Sequence, residues 1–292
     1  MVNNTHSENS SNDLHPVIIS ASRSTDIPAF YSDWLISRVT EGYAMWKNPF
    51  NGQYYKVLFD KSRLFVFWTK NPEKMIDKLD YFKEHNYNYY FQFSLNNYDG
   101  LNYENNLPSI DKRIDTFIKL SDKIGTDKVI WRFDPLIISD SLSFDQLLSR
   151  LEYVGNRVYG HTERLVFSFI DIDCYKKVKN NVEKYRLIEF TDDLMHKFSR
   201  SLSELNQRWN LKLGTCCESI DLKEYNIEHN RCIDDRLIIK LFKHDTELMD
   251  YIGYDTQQLT IEDLYNEDGL SEKKYNKIKD KGQRQSCGCI RS

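Results

Sequence analysis

Short apolar runs recur along this chain, each ending in a polar or charged tip and a turn, and each followed by a stretch with helical spacing. The first is in residues 17–28, VIISASRSTDIP, where Val17, Ile18 and Ile19 suit a buried strand and Pro28 sits in the first turn of a helix. Further strands are predicted at Leu64 to Lys70 (LFVFWTK), Tyr89 to Leu95 (YYFQFSL), Val129 to Leu136 (VIWRFDPL), Leu165 to Ile172 (LVFSFIDI) and Leu211 to Glu218 (LKLGTCCE). Between them lie apolar stripes at helical spacing. These are Phe30, Trp34, Leu35 and Val39 closed by Gly42; Met75, Ile76, Leu79 and Phe82; Ile110, Ile114, Phe117, Ile118 and Ile124 closed by Gly125; Phe144 to Val154 after Ser143; and Leu194, Phe198, Leu202 and Trp209 after the cap Thr191. The segment Lys47 to Gln53, with Pro49, Asn51 and Gly52, reads as a loop.

Six alternations of strand and helix with no break in composition predict one α/β domain. Its parallel strands are expected to form a partial (β/α)6 TIM-like barrel. Residues 1–15 hold almost nothing that could be buried and read as a disordered leader to a domain over 16–292. After about residue 220 the pattern changes. A loop-like stretch from Asp221 to Arg231 leads to a helix with Leu237, Ile238 and Leu241, so 220–292 is expected to be a cysteine-bearing cap folding over the barrel mouth.

At 292 residues, 40% hydrophobic and 29% charged, the chain can bury a full core. A formal net charge of -4 gives no electrostatic footprint for nucleic acid or an anionic membrane. No apolar run approaches the ~18 residues of a membrane span, and the polar N-terminus does not read as an export signal, so a cytoplasmic location is expected. Six cysteines in such a chain argue for metal, redox or core roles rather than a disulfide scaffold.

In a parallel α/β domain, chemistry collects at the C-terminal ends of the strands. Those tips carry Arg23 with Asp26 in the following turn, Lys70, Gln92 and Ser94, Arg132 and Asp134, Ser168 and Asp171, then Cys217 and Glu218. The plainer reading of Arg23 and Asp26 is an ion pair that ties down a turn, and that of Arg132 and Asp134 is a buried structural pair. Taken together the tips predict a polar cavity. In it Arg23, Lys70 and Arg132 bind carboxylate or phosphate, Gln92, Ser94, Ser168 and Asp171 contact substrate, and Asp26, Asp134 and Glu218 orient substrate or move protons. Cys217, Cys232, Cys287 and Cys289 would make a four-thiolate site for zinc or an iron–sulfur cluster, the plainer alternative being four reduced thiols; Cys174 and Cys216 read as core or loop thiols.

The motifs SASRSTDIPAFY, NPFN, VFWTKNP, YYFQFSL, WRFDP, Cys217-Glu218, CID and KDKGQRQSCGC, in that order, resemble a bacterial family catalogued as domain of unknown function 1848. The resemblance runs from Val17 to Cys289. It implies a radical S-adenosylmethionine-like, iron–sulfur-dependent enzyme, in which family members continue into a Cys-x-x-x-Cys-x-x-Cys motif. This chain stops at Ser292 without it, so either the sequence is cut short or the S-adenosylmethionine chemistry is lost. The expected substrate is a polar or anionic small molecule or a modified macromolecular group. Two rival expectations stand beside this one: a non-redox barrel hydrolase or lyase with structural zinc, and a non-catalytic binding protein.

Overall fold

The computed structural model describes residues 13–21, 25–48, 51–170, 185–216 and 218–254. In chain order the elements are β1 (Asp13–Leu14), β2 (Ile18–Ala21), α1 (Ile27–Phe30), α2 (Ser32–Glu41), β3 (Tyr43–Lys47), β4 (Tyr54–Leu58), β5 (Leu64–Thr69), α3 (Glu73–Ile76), α4 (Leu79–Glu84) and β6 (Asn88–Ser94). Then come α5 (Ile110–Ile124), β7 (Val129–Leu136), β8 (Ile138–Ser139), α6 (Phe144–Val158), β9 (Arg164–Phe169), β10 (Leu187–Ile188), α7 (Asp192–Trp209), β11 (Lys212–Thr215), β12 (Ile227–His229), α8 (Asp235–Phe242) and α9 (Thr246–Ile252).

Seven strands form one all-parallel sheet in the order β2-β5-β6-β7-β9-β11-β12, so each new strand is laid beside the last. β2 and β12 are its two edges, and no pairing between them closes the sheet among the described residues. All six strands expected from the apolar runs are present. The seventh, β12, is three residues inside the stretch read as loop. Its only apolar member, Ile227, is too little to register as a run.

A parallel sheet covered on both faces needs apolar residues on both, which is why these strands read as continuous runs rather than alternating ones. Residue parity sorts the faces. The odd-numbered residues Phe65, Phe67, Phe91, Phe93, Trp131, Phe133, Phe167 and Phe169 join the larger core with the helices that connect the strands. The even-numbered Ile18, Leu64, Val66, Tyr90, Ile130 and Val166 pack instead on Ile233, Leu237, Ile238, Phe242, Leu248 and Met249 from the C-terminal end of the described chain.

That second layer shows where the described part of the expected cap, up to Tyr254, is held. Asp245, at the start of α9, accepts from Arg63 Nε at 3.0 Å and Asn88 Nδ2 at 2.7 Å, beside the first residues of β5 and β6. Asp234 accepts from Arg164 Nη1 at 2.6 Å and Lys240 Nζ donates to Glu163 at 2.7 Å, both at the start of β9. Helices α8 and α9 therefore plug the N-terminal ends of the strands and leave the C-terminal ends to the polar groups. Residues 255–292, including the remainder of the expected cap, lie outside the described residues.

Three further differences have local causes. The helix expected after the first strand breaks at Tyr31, which turns Phe30 and Trp34 outward at 65% and 43% exposure while Leu35 and Val39 stay buried. The expected Lys47 to Gln53 loop joins β3, which includes Lys47, to β4 in an antiparallel hairpin, hidden in sequence because both strands mix tyrosine and lysine with apolar residues. Asp13 and Leu14, at the end of the expected leader, pair parallel to β4.

Asp234 is fully buried, pairs with Arg164 and accepts from the Arg236 and Leu237 backbone N–H groups as the cap of α8. Asp234→Ala should therefore lower unfolding stability by about 3–5 kcal/mol, the cost of stranding a buried partner and losing a cap. Urea unfolding followed by circular dichroism checks this; a loss below about 1 kcal/mol would show that α8 is not pinned through this carboxylate.

Candidate functional site at the strand ends

Above the apolar layer the even-numbered face turns polar, because the next residues up are Ser20, Trp68, Gln92, Ser94, Arg132, Asp134, Ser168 and Cys216. Arg132 is the centre of this layer, with its side chain 2% exposed. Its Nη2 donates to Asp134, its Nη1 donates to Gln92 Oε1 at 3.2 Å, and its guanidinium carbon lies 5.2 Å from the centre of the Trp68 ring. The Trp68 indole N–H donates in turn to Ser20 Oγ at 3.0 Å. The same Nη1 lies 3.6 Å from the sulfur of Cys232, whose backbone carbonyl accepts from Gln92 Nε2 at 2.9 Å and Tyr90 Oη at 3.1 Å. A second sulfur, that of Cys216, is 3.2 Å from that of Cys232, well beyond the ~2.05 Å of a disulfide.

Asp134 lies closer to solvent, its side chain about one quarter exposed. Its second carboxylate oxygen accepts from Ser168 Oγ. Its backbone is clamped by Asn96, which accepts from Asp134 N at 2.9 Å and donates to Asp134 O at 3.1 Å. The peptide that follows, Asp134–Pro135, is cis. Asn96 also donates to Glu104, which takes the Lys70 ammonium, so the strand-end cation of β5 is tied to the Asp134 turn. Asp26 caps α1 through Ala29 N at 2.9 Å and accepts from Lys70 N at 2.7 Å, holding the ends of β2 and β5 together.

The charges follow from these contacts. Burial by itself would weaken the Arg132 cation, but the neighbouring Cys232, Asp134 and Cys216 outweigh it and hold its pKa well above the ordinary value. Burial pushes the Asp134 carboxyl up, and the Arg132 charge with the Ser168 hydroxyl overcomes it, so Asp134 sits below the usual carboxylate range. Asp26 goes the other way: its burial outweighs the two backbone N–H groups and raises it.

Of the residues expected at the site, Gln92, Arg132, Asp134, Ser168 and Cys232 meet in one cluster, and Ser94 lies in register with Arg132. Lys70 and Asp26 adjoin it through the contacts just described. Glu218 accepts from Phe169 N at 2.9 Å and so fixes the end of β9. Arg23, Asp171, Cys217, Cys287 and Cys289 lie outside the described residues. Arg132 and Asp134 do pair, the arginine buried and the carboxylate one quarter exposed, and the pair faces the site.

Cys216, expected as a core or loop thiol, joins the cluster, and Trp68, Asn96 and Glu104 were not expected there. Cys216 is placed by register: β11 pairs with β9 so that Thr215 faces Phe167, and continuing the two-residue alternation puts Cys216 level with Ser168. Asn96 and Glu104 lie in a loop with no pattern to mark them. Among the described residues no group of three or more His, Cys, Asp or Glu side chains is placed to hold a metal ion.

These features define an α/β protein with a charged, thiol-bearing cluster at the C-terminal ends of a parallel sheet. More particularly, the chain belongs to the family described as domain of unknown function (DUF1848), whose model matches residues 18–292. No curated protein and no solved structure matches the chain, and no helix among the described residues is long and apolar enough to cross a membrane.

The depressed pKa of Asp134 has a testable sign. A carboxylate bound below its unfolded value of ~3.9 contributes stability that is present above that pH and is lost as pH falls through the folded value. The deficit of Asp134→Asn relative to wild type should thus be constant above about pH 5 and shrink below about pH 4, where protonation removes the same interaction from wild type. Asp26, being raised, has the opposite slope, its stabilisation fading as pH rises through the folded value. Denaturant midpoints from about pH 6 to pH 3 check both; a deficit for Asp134→Asn that grows toward acid would refute the ion pair.

Proposed function

We propose that this chain is a radical S-adenosylmethionine-like iron–sulfur enzyme acting on a polar or anionic substrate at the C-terminal ends of a TIM-like partial barrel. The observation that carries the reading is the convergence of Arg132, Asp134, Gln92, Ser168 and the Cys232 sulfur on one face at the strand ends. Strand order supports it too, since parallel strands laid side by side in chain order are what an α/β barrel requires.

The surroundings of Cys232 fit a thiolate-held centre. Its sulfur has the Arg132 and Asn230 side-chain N–H groups at 3.6 and 4.0 Å and a second sulfur at 3.2 Å, and N–H donors and a guanidinium favour the thiolate form that ligates metal. Cys232 with Cys217, Cys287 and Cys289 would hold the cluster, which when bound supplies one-electron chemistry. Arg132 offsets thiolate charge and keeps Asp134 ionised. Asp134, accepting from Ser168 and partly open to solvent, is the group placed to orient a substrate hydroxyl or ammonium or to accept its proton. Lys70, whose side chain is 42% exposed and pairs with Glu104, is placed to meet an anionic substituent. Gln92 holds the Arg132 guanidinium and the Cys232 carbonyl at once, fixing the distance between charge and sulfur.

A second reading rests on the same sulfurs, because thiolates beside N–H donors suit tetrahedral zinc equally well and would leave a hydrolase or lyase without redox chemistry. Metal analysis and visible absorption of anaerobically purified protein separate the two. Iron with a broad visible band supports the iron–sulfur enzyme, stoichiometric zinc without colour supports the second reading, and a protein that takes up neither metal after reduction and reconstitution ends both. Arg132→Ala should lower metal content and cost about 3 kcal/mol in stability by leaving Asp134 without its partner; retention of full metal content in that variant would remove Arg132 from the site.

A further inference from the structure

The even-numbered layer contains a sulfur for which neither the family pattern nor the spacing of the other cysteines has a use. We propose that Cys216, in place of Cys217, is a metal ligand, forming with Cys232 a two-thiolate edge and keeping the number of thiolates at four. This deepens the proposed function and rests on it.

The geometry of the edge is the first support. Two thiolates on one tetrahedral metal, each at ~2.3 Å, lie about 3.8 Å apart. The Cys216 and Cys232 sulfurs, 3.2 Å apart, need to separate by about 0.6 Å to admit the ion. The two arrive 16 residues apart in the chain, one from the end of β11 and one from the turn between β12 and α8, and the pairing of β11 with β12 brings them together.

The path of the backbone is the second support. Asn230 N donates to Thr215 O at 2.8 Å, continuing the β11–β12 ladder by one step before the chain turns toward Cys232. At Gly214 an added Cβ would lie 3.0 Å from the Asn230 Cβ, so the absence of a side chain there lets the Asn230–Cys232 segment settle onto β11. Arg164 then donates to Asn230 Oδ1 at 3.3 Å, leaving the amide nitrogen on the side of the Cys232 sulfur. Glycine, asparagine and two arginines thus present the two sulfurs side by side, with N–H donors behind them of the kind that tune metal thiolates.

The balance of the binding step is simple: each thiol gives up its proton as the divalent ion enters, and no oxidant is needed. The test uses the whole chain, reduced and anaerobic, titrated with cobalt(II) or zinc(II). Cys216→Ser should lose intensity in the cobalt–thiolate charge-transfer band and bind zinc about tenfold or more weakly. Gly214→Ala should shift the same band by moving Asn230. In unmodified wild-type protein, bound zinc should shield Cys216 as well as Cys232 from alkylation by iodoacetamide, read peptide by peptide in a mass spectrometer, which needs no variant to fold.

If Cys232→Ser loses metal while Cys216→Ser keeps the wild-type band and affinity, or if zinc protects Cys232 but not Cys216, this ligand assignment is overturned and the proposed centre stands. If Cys232→Ser also keeps its metal, the centre itself is wrong. A Cys216–Cys232 disulfide that, once reduced, yields a protein binding neither ion overturns both.

Discussion

A guanidinium buried in the middle of a parallel sheet must be satisfied from within the sheet, and the arrangement of the strand ends follows from that requirement. Removing such a charge from water costs several kcal/mol even after relaxation, and only close, well-oriented partners recover it. Arg132 finds them on its own strand in Asp134, on the neighbouring strand in Gln92, two strands away in the face of Trp68, and in the Cys232 sulfur brought in by the C-terminal segment. Each partner is then fixed by its own second contact: Asp134 by Ser168 and Asn96, Gln92 by the Cys232 carbonyl, Trp68 by Ser20. One buried charge thereby organises five of the seven strands, from β2 to β9.

The same face divides into two layers of unlike character. At the strand starts it is apolar and plugged by α8 and α9, whose own charges reach outward to Arg63, Asn88 and Arg164. At the strand ends it is polar and more open. Burying the lower layer fixes the height at which the chain re-enters the sheet face, because Ile233 and Leu237 must pack on the apolar layer while Cys232, just before them, is left at its upper boundary. Packing of an ordinary hydrophobic kind thus sets where a thiol meets a guanidinium.

Much of this was legible in the sequence. The apolar runs marked six of the seven strands, and the two-residue spacing of Arg132 and Asp134 put them on one face, as did the spacing of Gln92 and Ser94. What escaped did so for identifiable reasons. The β3–β4 hairpin mixes tyrosine and lysine with apolar residues in two largely unburied strands, so neither a long apolar run nor a clean alternation forms. Strand β12 is too short to show a period. The plug could not be placed because a helical stripe such as Leu237, Ile238 and Leu241 says that a face is buried but not against which end of a sheet. Asn96, Glu104 and Asn230 act from loops, through hydrogen bonds that depend on tertiary geometry.

Cys216 is the instructive case, because the means to find it were present. In isolation the pair Cys216-Cys217 offers two thiols and no reason to prefer either. Register supplies the reason: β7 carries its chemistry on even-numbered residues, parallel pairing transfers that parity through β9 to β11, and a strand that keeps its alternation to the last residue must turn Cys216 toward the Arg132 face. A single slip of one residue in any of those pairings would exchange the two cysteines. The identity of the sulfur beside Cys232 is therefore a property of three strands together, and Gly214, by letting the next segment lie close, converts that register into a contact of 3.2 Å.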